Sequence, residues 1–269
     1  MGHLIKDIEG DFRINGHPLY IGSPINNGLK GRHSADQQHG DTGNTVWDSS
    51  MALTKCIEHH SGSDIDGIGK MLNVSGRTVL ELGAGTGFVG LSLIHCNAES
   101  VVLSDLKYCT ENIRRNVAKN GMLWDLRNDQ KSENENEQTQ NDQNPFDRVT
   151  VMEVDWMRYK QSLKSLKDHK TTIDVVIGCD VIWIKELVPA LVDTLQHLHS
   201  NLMDKDGVII IAEQVRSKKI SDLFWNLMIS KGFKRTVVPE KLSPPDFKSN
   251  KIIINILTKK SHSTQPNSP

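Results

Sequence analysis

Short apolar runs alternate along the chain with longer segments in which apolar residues recur at helical spacing. A strand buried on both faces has no polar side, whereas a surface helix shows the 3.6-residue period. Strands are predicted at residues 78–82, 100–104, 148–154, 173–178, 208–212, 233–238 and 252–258. Helices are predicted at residues 88–95, 108–120, 187–202 and 217–230. The order predicts a doubly wound α/β sheet, and the absence of a helix between the last two strands predicts that the last strand is antiparallel.

An N-terminal β-hairpin is predicted ahead of this alternation. Residues 12–21 alternate around Asn15-Gly16, a pair that favours the positive φ angles of a tight hairpin turn. The hairpin is followed by a polar stretch at residues 22–45 that holds almost nothing to bury. We expect residues 1–45 to form a hairpin with a flexible segment, separate from the main domain at residues 46–260.

Two more segments have almost no apolar side chains, at residues 125–145 and 261–269. Such a composition cannot offset the conformational entropy that is lost on ordering. The first segment is therefore predicted to be a disordered insertion within the main domain, and the second to be a disordered tail.

Composition narrows the class of protein. The net charge is −1 over 269 residues, which argues against a protein that holds nucleic acid mainly through its phosphates. No run approaches the ~18 apolar residues of a transmembrane helix, and the first residues lack the order of a signal peptide. The four cysteines are far apart and the 11 histidines show no ligand spacing. We expect a cytoplasmic or nuclear protein with reduced thiols and no metal, no membrane contact and no nucleic-acid partner.

The most informative stretch, residues 81–90, reads ELGAGTGFVG between a strand and a helix. Glycines there let the backbone turn tightly and let a ligand approach the main chain. Asp105 ends the next strand, where a carboxylate can accept hydrogen bonds from two ribose hydroxyls. The same glycines satisfy the GxGxxG pattern of dinucleotide sites, and a turn kept only for packing is a third interpretation. Glu81 favours a positively charged cofactor, S-adenosylmethionine, over a pyrophosphate.

This stretch resembles the first motif of the seven-strand methyltransferases, and four further motifs are similar to methyltransferase family 16, the protein-lysine methyltransferases. These motifs are VWDSS at 46–50, SDL at 104–106, DW at 155–156 and DVVIGCDVIW at 174–183. The resemblance covers roughly residues 10–260. It implies a Rossmann-like fold, S-adenosyl-L-methionine as the cofactor and S-adenosyl-L-homocysteine as the product. It also implies methylation of a lysine in a non-histone protein such as a chaperone, an AAA ATPase or a translation factor.

The resemblance also assigns roles to individual residues. Contact with the cofactor is implied for Trp47, Glu81, Gly83, Ala84, Gly85, Asp105, Trp156 and Cys179, and a catalytic position for Asp180 and Trp183. Each role has an alternative, because Asp105 can cap a helix, Asp180 can cap a strand end, and the Trp and Cys side chains can be plain core. The family has Tyr where Trp183 stands, so an aromatic wall is kept but the phenol oxygen is absent.

Three other functions are weighed against methylation of a protein lysine. Methylation of a nucleobase is disfavoured, because residues 180–183 read DVIW where such enzymes have Asn/Asp-Pro-Pro-Tyr. A small-molecule methyltransferase stays open, since the fold accepts many substrates. A cofactor-binding scaffold without activity also stays open. We expect a monomer with a protein substrate, and no residue selects which protein that is.

Overall fold

The structure, a computed structural model, describes residues 8–22, 42–61, 67–132 and 143–259. The rest of the chain lies outside the described residues, including parts of the three segments that are predicted to be disordered. The first eight residues of the predicted insertion at 125–145 are helical, so disorder was the wrong prediction for 125–132. For residues outside the described ranges, disorder stays a prediction, as do the domain boundaries. No helix in the described ranges is long and apolar enough to cross a membrane.

Nine strands and eight α-helices lie within these ranges. The strands are β1 (Ile8–Ile14), β2 (His17–Ile21), β3 (Thr78–Leu82), β4 (Ser100–Asp105), β5 (Val149–Glu153), β6 (Ile173–Cys179), β7 (Met203–Gln214), β8 (Phe233–Val237) and β9 (Ile252–Lys259). The helices are α1 (Asp48–His60), α2 (Ile68–Leu72), α3 (Phe88–Ile94), α4 (Lys107–Ser132), α5 (Tyr159–Ser162), α6 (Lys164–Asp168), α7 (Val188–Asn201) and α8 (Lys218–Ser230).

The main sheet has seven strands in the order β5-β4-β3-β6-β7-β9-β8. Strand β9 runs antiparallel to both β7 and β8, and the other neighbouring pairs are parallel. The predicted Rossmann-like sheet with an antiparallel last strand is therefore confirmed. From β3 the chain first builds outward through β4 and β5, then returns to add β6 beside β3. Strands β3 and β6 thus flank a topological switch point, and in such sheets ligands bind outside the carboxyl ends of these strands.

The core has two layers because successive residues of a strand point to opposite faces. Val79 packs with the cluster that includes residues of α1, α3, α4 and the hairpin. Its neighbour Leu80 packs with the cluster formed by α7 and α8 on the other face. Strand β6 contributes to both clusters and is buried over most of its length, which agrees with its apolar sequence.

The N-terminal hairpin is also confirmed. Asn15 and Gly16 have φ angles of 48° and 81°, as a tight hairpin turn requires. Asn15 Nδ2 donates to the carbonyl of His95 at 2.7 Å, and Tyr20 N donates to Asn120 Oδ1 at 3.0 Å. These bonds hold the hairpin against the end of α3 and the middle of α4.

One expectation about local structure was wrong, and one helix was missed. The helix that was predicted to stop at Gly121 continues to Ser132. A glycine within a helix costs only about 1 kcal/mol, and Gly121 lies against Asn144 and Phe146, so tertiary contacts offset that cost. Helix α1 was not predicted, because its buried face includes Ser49 and other polar residues and therefore shows no clear apolar period.

The end of the predicted flexible segment is ordered. Residues Thr42–Asn44 form a 3-10 turn, and the Cβ of any larger residue at position 85 would lie 3.2 Å from the carbonyl oxygen of Gly43. This short turn therefore packs directly on the glycine loop.

Candidate functional site

A cleft opens at the carboxyl ends of β3 and β6, at the switch point of the sheet. Residues from six strand ends and loops line it, and all ten residues that carry predicted roles are among them: Trp47, Glu81, Gly83, Ala84, Gly85, Asp105, Trp156, Cys179, Asp180 and Trp183. The fold thus brings together side chains that are up to 136 positions apart in the sequence. Their individual roles stay predictions.

The glycine loop forms the floor of this cleft. Gly83 has a φ of +65°, a region that residues with a Cβ avoid, and an added Cβ would lie 2.9 Å from Val181. Ala84 N donates to the carbonyl of Ser104 at 3.0 Å, and Gly87 N donates to the carbonyl of Ala84 at 2.7 Å. The loop is therefore held to the neighbouring strand, and its lack of side chains leaves space for a ligand.

Asp105 joins the glycine loop to the start of α4. One carboxylate oxygen accepts from Gly85 N at 2.7 Å and the other from Leu106 N at 2.6 Å. Burial raises the pKa of Asp105, and these two N–H donors partly offset that effect. The two proposed roles are therefore compatible: the carboxylate orders the backbone, and it keeps acceptor capacity toward the cleft for a pair of hydroxyls.

Glu81 places a buried carboxyl group under the cleft. It is 3% exposed, and its Oε2 accepts from Gly90 N at 2.9 Å. Burial raises the pKa of Glu81 to about 8; the Gly90 N–H works against this, and the charge of Asp105 adds to it. A cation in the cleft would favour the ionised form and pull this pKa down. The residue is thus suited to a positively charged ligand.

Replacing Glu81 is expected to stabilise the empty protein at alkaline pH. Since the folded pKa is about 8 and lies above that of the unfolded chain, the folded state loses stability as the pH rises from about 4.5 to 8. Glu81→Gln removes this ionisation, so its gain in melting temperature should be several degrees larger at pH 8.5 than at pH 5.5. Thermal unfolding of both proteins without ligand measures the difference. The exposed Glu186→Gln is the control, and an equal gain at both pH values would contradict the assignment.

Aromatic side chains form the walls of the cleft. Trp47 Nε1 donates to the carbonyl of Thr42 at 3.2 Å, which fixes the indole at the end of the ordered turn. Trp156 opens a 3-10 helix just after β5 and packs by Gly83. Trp183 is 38% exposed at the cleft. Cys179 is buried, and burial raises the pKa of its thiol well above the usual value, so it is an inert wall residue.

Asp180 occupies the strand end opposite Asp105. Its φ of 50° is left-handed, which Asp tolerates better than most residues. Its Oδ2 accepts from Ser49 Oγ at 2.7 Å, and its Oδ1 accepts from Gln214 N at 2.7 Å. Arg216 forms an ion pair with the same carboxylate at 3.2 Å. The side chain is therefore a junction between α1, β6 and the end of β7, which goes beyond capping one strand.

Sequence reasoning missed several contributors to the site. Among them are Thr42 and Gly43 of the 3-10 turn, Tyr108 at the start of α4, and Arg216. Tyr108 follows Asp105 by three positions, and its place in the first turn after that acid was a usable signal. Arg216 had no such signal, because its partners are distant in the chain.

The residues present fit S-adenosyl-L-methionine. The floor of the cleft is a glycine loop that leaves space because it lacks Cβ atoms. Carboxyl groups lie at the floor and at the edge of the cleft, and indole rings form its walls. It has the acids that a sulfonium group and a ribose favour, and Arg216 is the one lysine or arginine among the described residues that line it. No group of three or more potential metal ligands occurs in the described ranges.

A family model described as lysine methyltransferase matches residues 30–230. The chain belongs to this family. The sequence predicts S-adenosyl-L-methionine as the cofactor. Membership of the family confirms this prediction. The resemblance that the sequence motifs suggested is confirmed as well.

Curated relatives carry related names. The chain is 27% identical to protein N-lysine methyltransferase METTL21A of Xenopus tropicalis, over 66% of this chain and 63% of the relative. It is 26% identical to protein-lysine N-methyltransferase EEF2KMT of Mus musculus, over 91% and 67% respectively. It is 24% identical to EEF1A lysine methyltransferase 3 of Mus musculus, over 70% and 62%. The chain spans about 60% to two thirds of the length of the curated relatives that it matches.

Proposed function

We propose that this protein transfers the methyl group of S-adenosyl-L-methionine to the ε-amino group of a lysine in another protein. Membership of the lysine methyltransferase family and the names of the relatives support this proposal. The observation that carries it is the convergence of the glycine loop, Asp105, Asp180 and the indole walls on one cleft.

The cofactor would lie along the glycine loop. Asp105 would accept hydrogen bonds from the ribose hydroxyls, and Trp156 and Trp47 would pack on the adenine and over the cofactor. Glu81 would supply negative charge beneath the positive centre. When bound, S-adenosyl-L-methionine supplies a methyl group on a sulfonium sulfur, which is open to direct displacement by a nucleophile.

The chain's own task is then to position and desolvate the amine. Holding a nucleophile in line with its target can supply about 7–11 kcal/mol of the barrier. A lysine with a pKa of ~10.4 must lose its proton first, which costs about 4.6 kcal/mol at pH 7. The rings of Trp183 and Trp47 line the cleft. Either ring can receive the ammonium over its face, and together they exclude water from the amine. Desolvation lowers the pKa of the amine and therefore reduces that cost.

We further infer that the substrate is a non-histone protein, such as a chaperone, an AAA ATPase or a translation factor, in the cytoplasm or nucleus. The family resemblance supports this class. Trp183 stands where the family has Tyr, so no phenol hydroxyl can contact the substrate at that position.

Transfer of labelled methyl groups tests the proposal. The purified protein is incubated with methyl-labelled S-adenosyl-L-methionine and a lysate of cells that lack it, and labelled material is separated by size. We expect a labelled protein band whose label maps to lysine by mass spectrometry. Label only in small molecules would replace the proposal with a small-molecule methyltransferase. Cofactor binding without any label would replace it with a non-catalytic scaffold.

A further inference from the structure

Arg216 links two walls of the cleft that the sequence places far apart. Its Nη1 lies 3.2 Å from Asp180 Oδ1, and its Nη2 lies 3.3 Å from Asp180 Oδ2. Its guanidinium carbon lies 4.8 Å from the centre of the Trp47 ring. The planar guanidinium can make both contacts at once, because it presents an edge to a carboxylate and a face to an indole. Its side chain stays 42% exposed at the cleft.

This pairing fills the acceptor positions of Asp180. Each carboxylate oxygen receives one contact from Arg216 and one further hydrogen bond, from Gln214 N or from Ser49 Oγ. A carboxylate offers about four acceptor positions, and the Asp180 side chain is only 5% exposed. An amine that enters the cleft therefore meets a neutral, saturated ion pair instead of a free carboxylate.

The other titratable groups near this pair do not replace Arg216. Glu81 on β3, Cys179 on β6 and Glu213 on β7 are buried, and burial raises the pKa of each. Glu213 lies 4.0 Å from its own cation, Arg235. Asp105 on β4 lies across the cleft, and the contact from α1 is the neutral hydroxyl of Ser49. Apart from Arg235, which pairs with Glu213, these groups are acidic or neutral.

We propose that Arg216 is a positioning residue for the transfer, because it cancels the charge of Asp180 and so lets the bound target amine lose its proton. This inference rests on the proposed function. An uncompensated carboxylate a few ångströms from an amine stabilises the ammonium form and raises its pKa by about 1–3 units. The ammonium has no lone pair with which to attack a methyl group. Paired with Arg216, Asp180 keeps its place in the wall without holding the amine in this inactive form.

The test is the pH dependence of the Arg216→Gln variant. Initial rates of methyl incorporation into the labelled lysate band are compared with those of the unaltered protein at each pH from 6.5 to 10. Desolvation can lower the pKa of a bound lysine amine to about 8, and a rise of about one unit from there lowers its neutral fraction about eightfold at pH 7.5 but by less than a tenth at pH 10. We therefore expect the ratio of the two rates to be about 0.1 at pH 7.5 and to approach 1 near pH 10. Diluting the lysate should show that kcat falls while KM does not rise.

Two further variants separate this role from a structural one. Arg216→Lys keeps the charge and should keep the ratio near 1, whereas Arg216→Met should repeat the pH shift of Arg216→Gln. Arg158→Gln is the matched control, since Arg158 pairs with Asp155 at 2.8 Å on another part of the rim. Affinity for S-adenosyl-L-homocysteine at pH 7.5 and 9.5 reports whether each variant is folded.

A rate ratio that stays the same at all pH values would overturn the inference and leave Arg216 with a packing role only. Equal rates at every pH would also overturn it. If the unaltered protein labels no protein at any pH, the proposed function itself has failed, so the two failures are distinguishable.

Discussion

Asp105→Asn is expected to weaken S-adenosyl-L-methionine binding by about 100-fold or more. Two charge-assisted hydrogen bonds to ribose hydroxyls contribute roughly 1.5–3 kcal/mol each, and 100-fold corresponds to about 2.7 kcal/mol. The amide also cannot accept on both sides, so one of the bonds from Gly85 N and Leu106 N is lost. Titration calorimetry with the cofactor and its product measures the effect.

Asp193→Asn is the control for this variant. Asp193 is half-exposed on α7 and pairs with Lys231 at 3.4 Å, far from the cleft residues. Its replacement should leave the affinity unchanged. Thermal unfolding of both variants shows whether the glycine loop is still ordered. A folded Asp105→Asn protein whose dissociation constant lies within threefold of the unaltered value would rule out the ribose contact.

Asp180→Asn is expected to lower the rate of methyl transfer to protein by about 100-fold at pH 7.5 while cofactor affinity changes by less than about threefold. The substitution preserves size and tolerates the left-handed backbone of position 180. The Nδ2 group of Asn cannot accept a hydrogen bond, so the side chain at position 180 keeps fewer of its contacts with Arg216, Ser49 and Gln214 N. The hydroxyl of Ser49 also loses its charged acceptor. A wall built around one carboxylate thus loses its order.

Two measurements on the same preparation test whether the rate falls while the affinity is kept. The rate is measured as methyl incorporation in the labelled lysate, and the affinity for the cofactor is measured by calorimetry. Ser49→Ala removes one of the donors to Asp180 and should cost only a few-fold in rate, because a single hydrogen bond contributes about 1 kcal/mol. Loss of rate and affinity in equal measure would mean that Asp180 shapes the cofactor pocket. Full activity of the Asp180→Asn variant would show that Asp180 has no role in the transfer.

Much of the site could be predicted because it follows from local chain geometry. A glycine loop after a strand and an acid at the end of the next strand are brought together by any parallel sheet in which those strands are neighbours. β3 and β4 are such neighbours, and Gly85 N reaches Asp105 at 2.7 Å. Glu81 and Asp180 follow the same rule, since both stand at or near strand ends.

Arg216 could not be predicted in this way. It lies 36 positions after Asp180, in a loop that follows a strand, and its side chain is placed by the pairing of β6 with β7 and by the indole of Trp47. Helix α1 escaped prediction for a related reason. Ser49 is buried because it donates to Asp180, so a residue that looks polar in the sequence belongs to the inner face.

The sequence by itself determined the order of the strands of the main sheet, the antiparallel last strand and the glycine loop of the cleft, since apolar periodicity and glycine act over short distances along the chain. Only the tertiary structure decided the electrostatics of the cleft. The raised pKa of Glu81 and the neutral pair of Asp180 with Arg216 depend on burial and on charges from distant segments. Coulomb interactions and desolvation are set by separation in space, which the chain acquires only when the strands have paired.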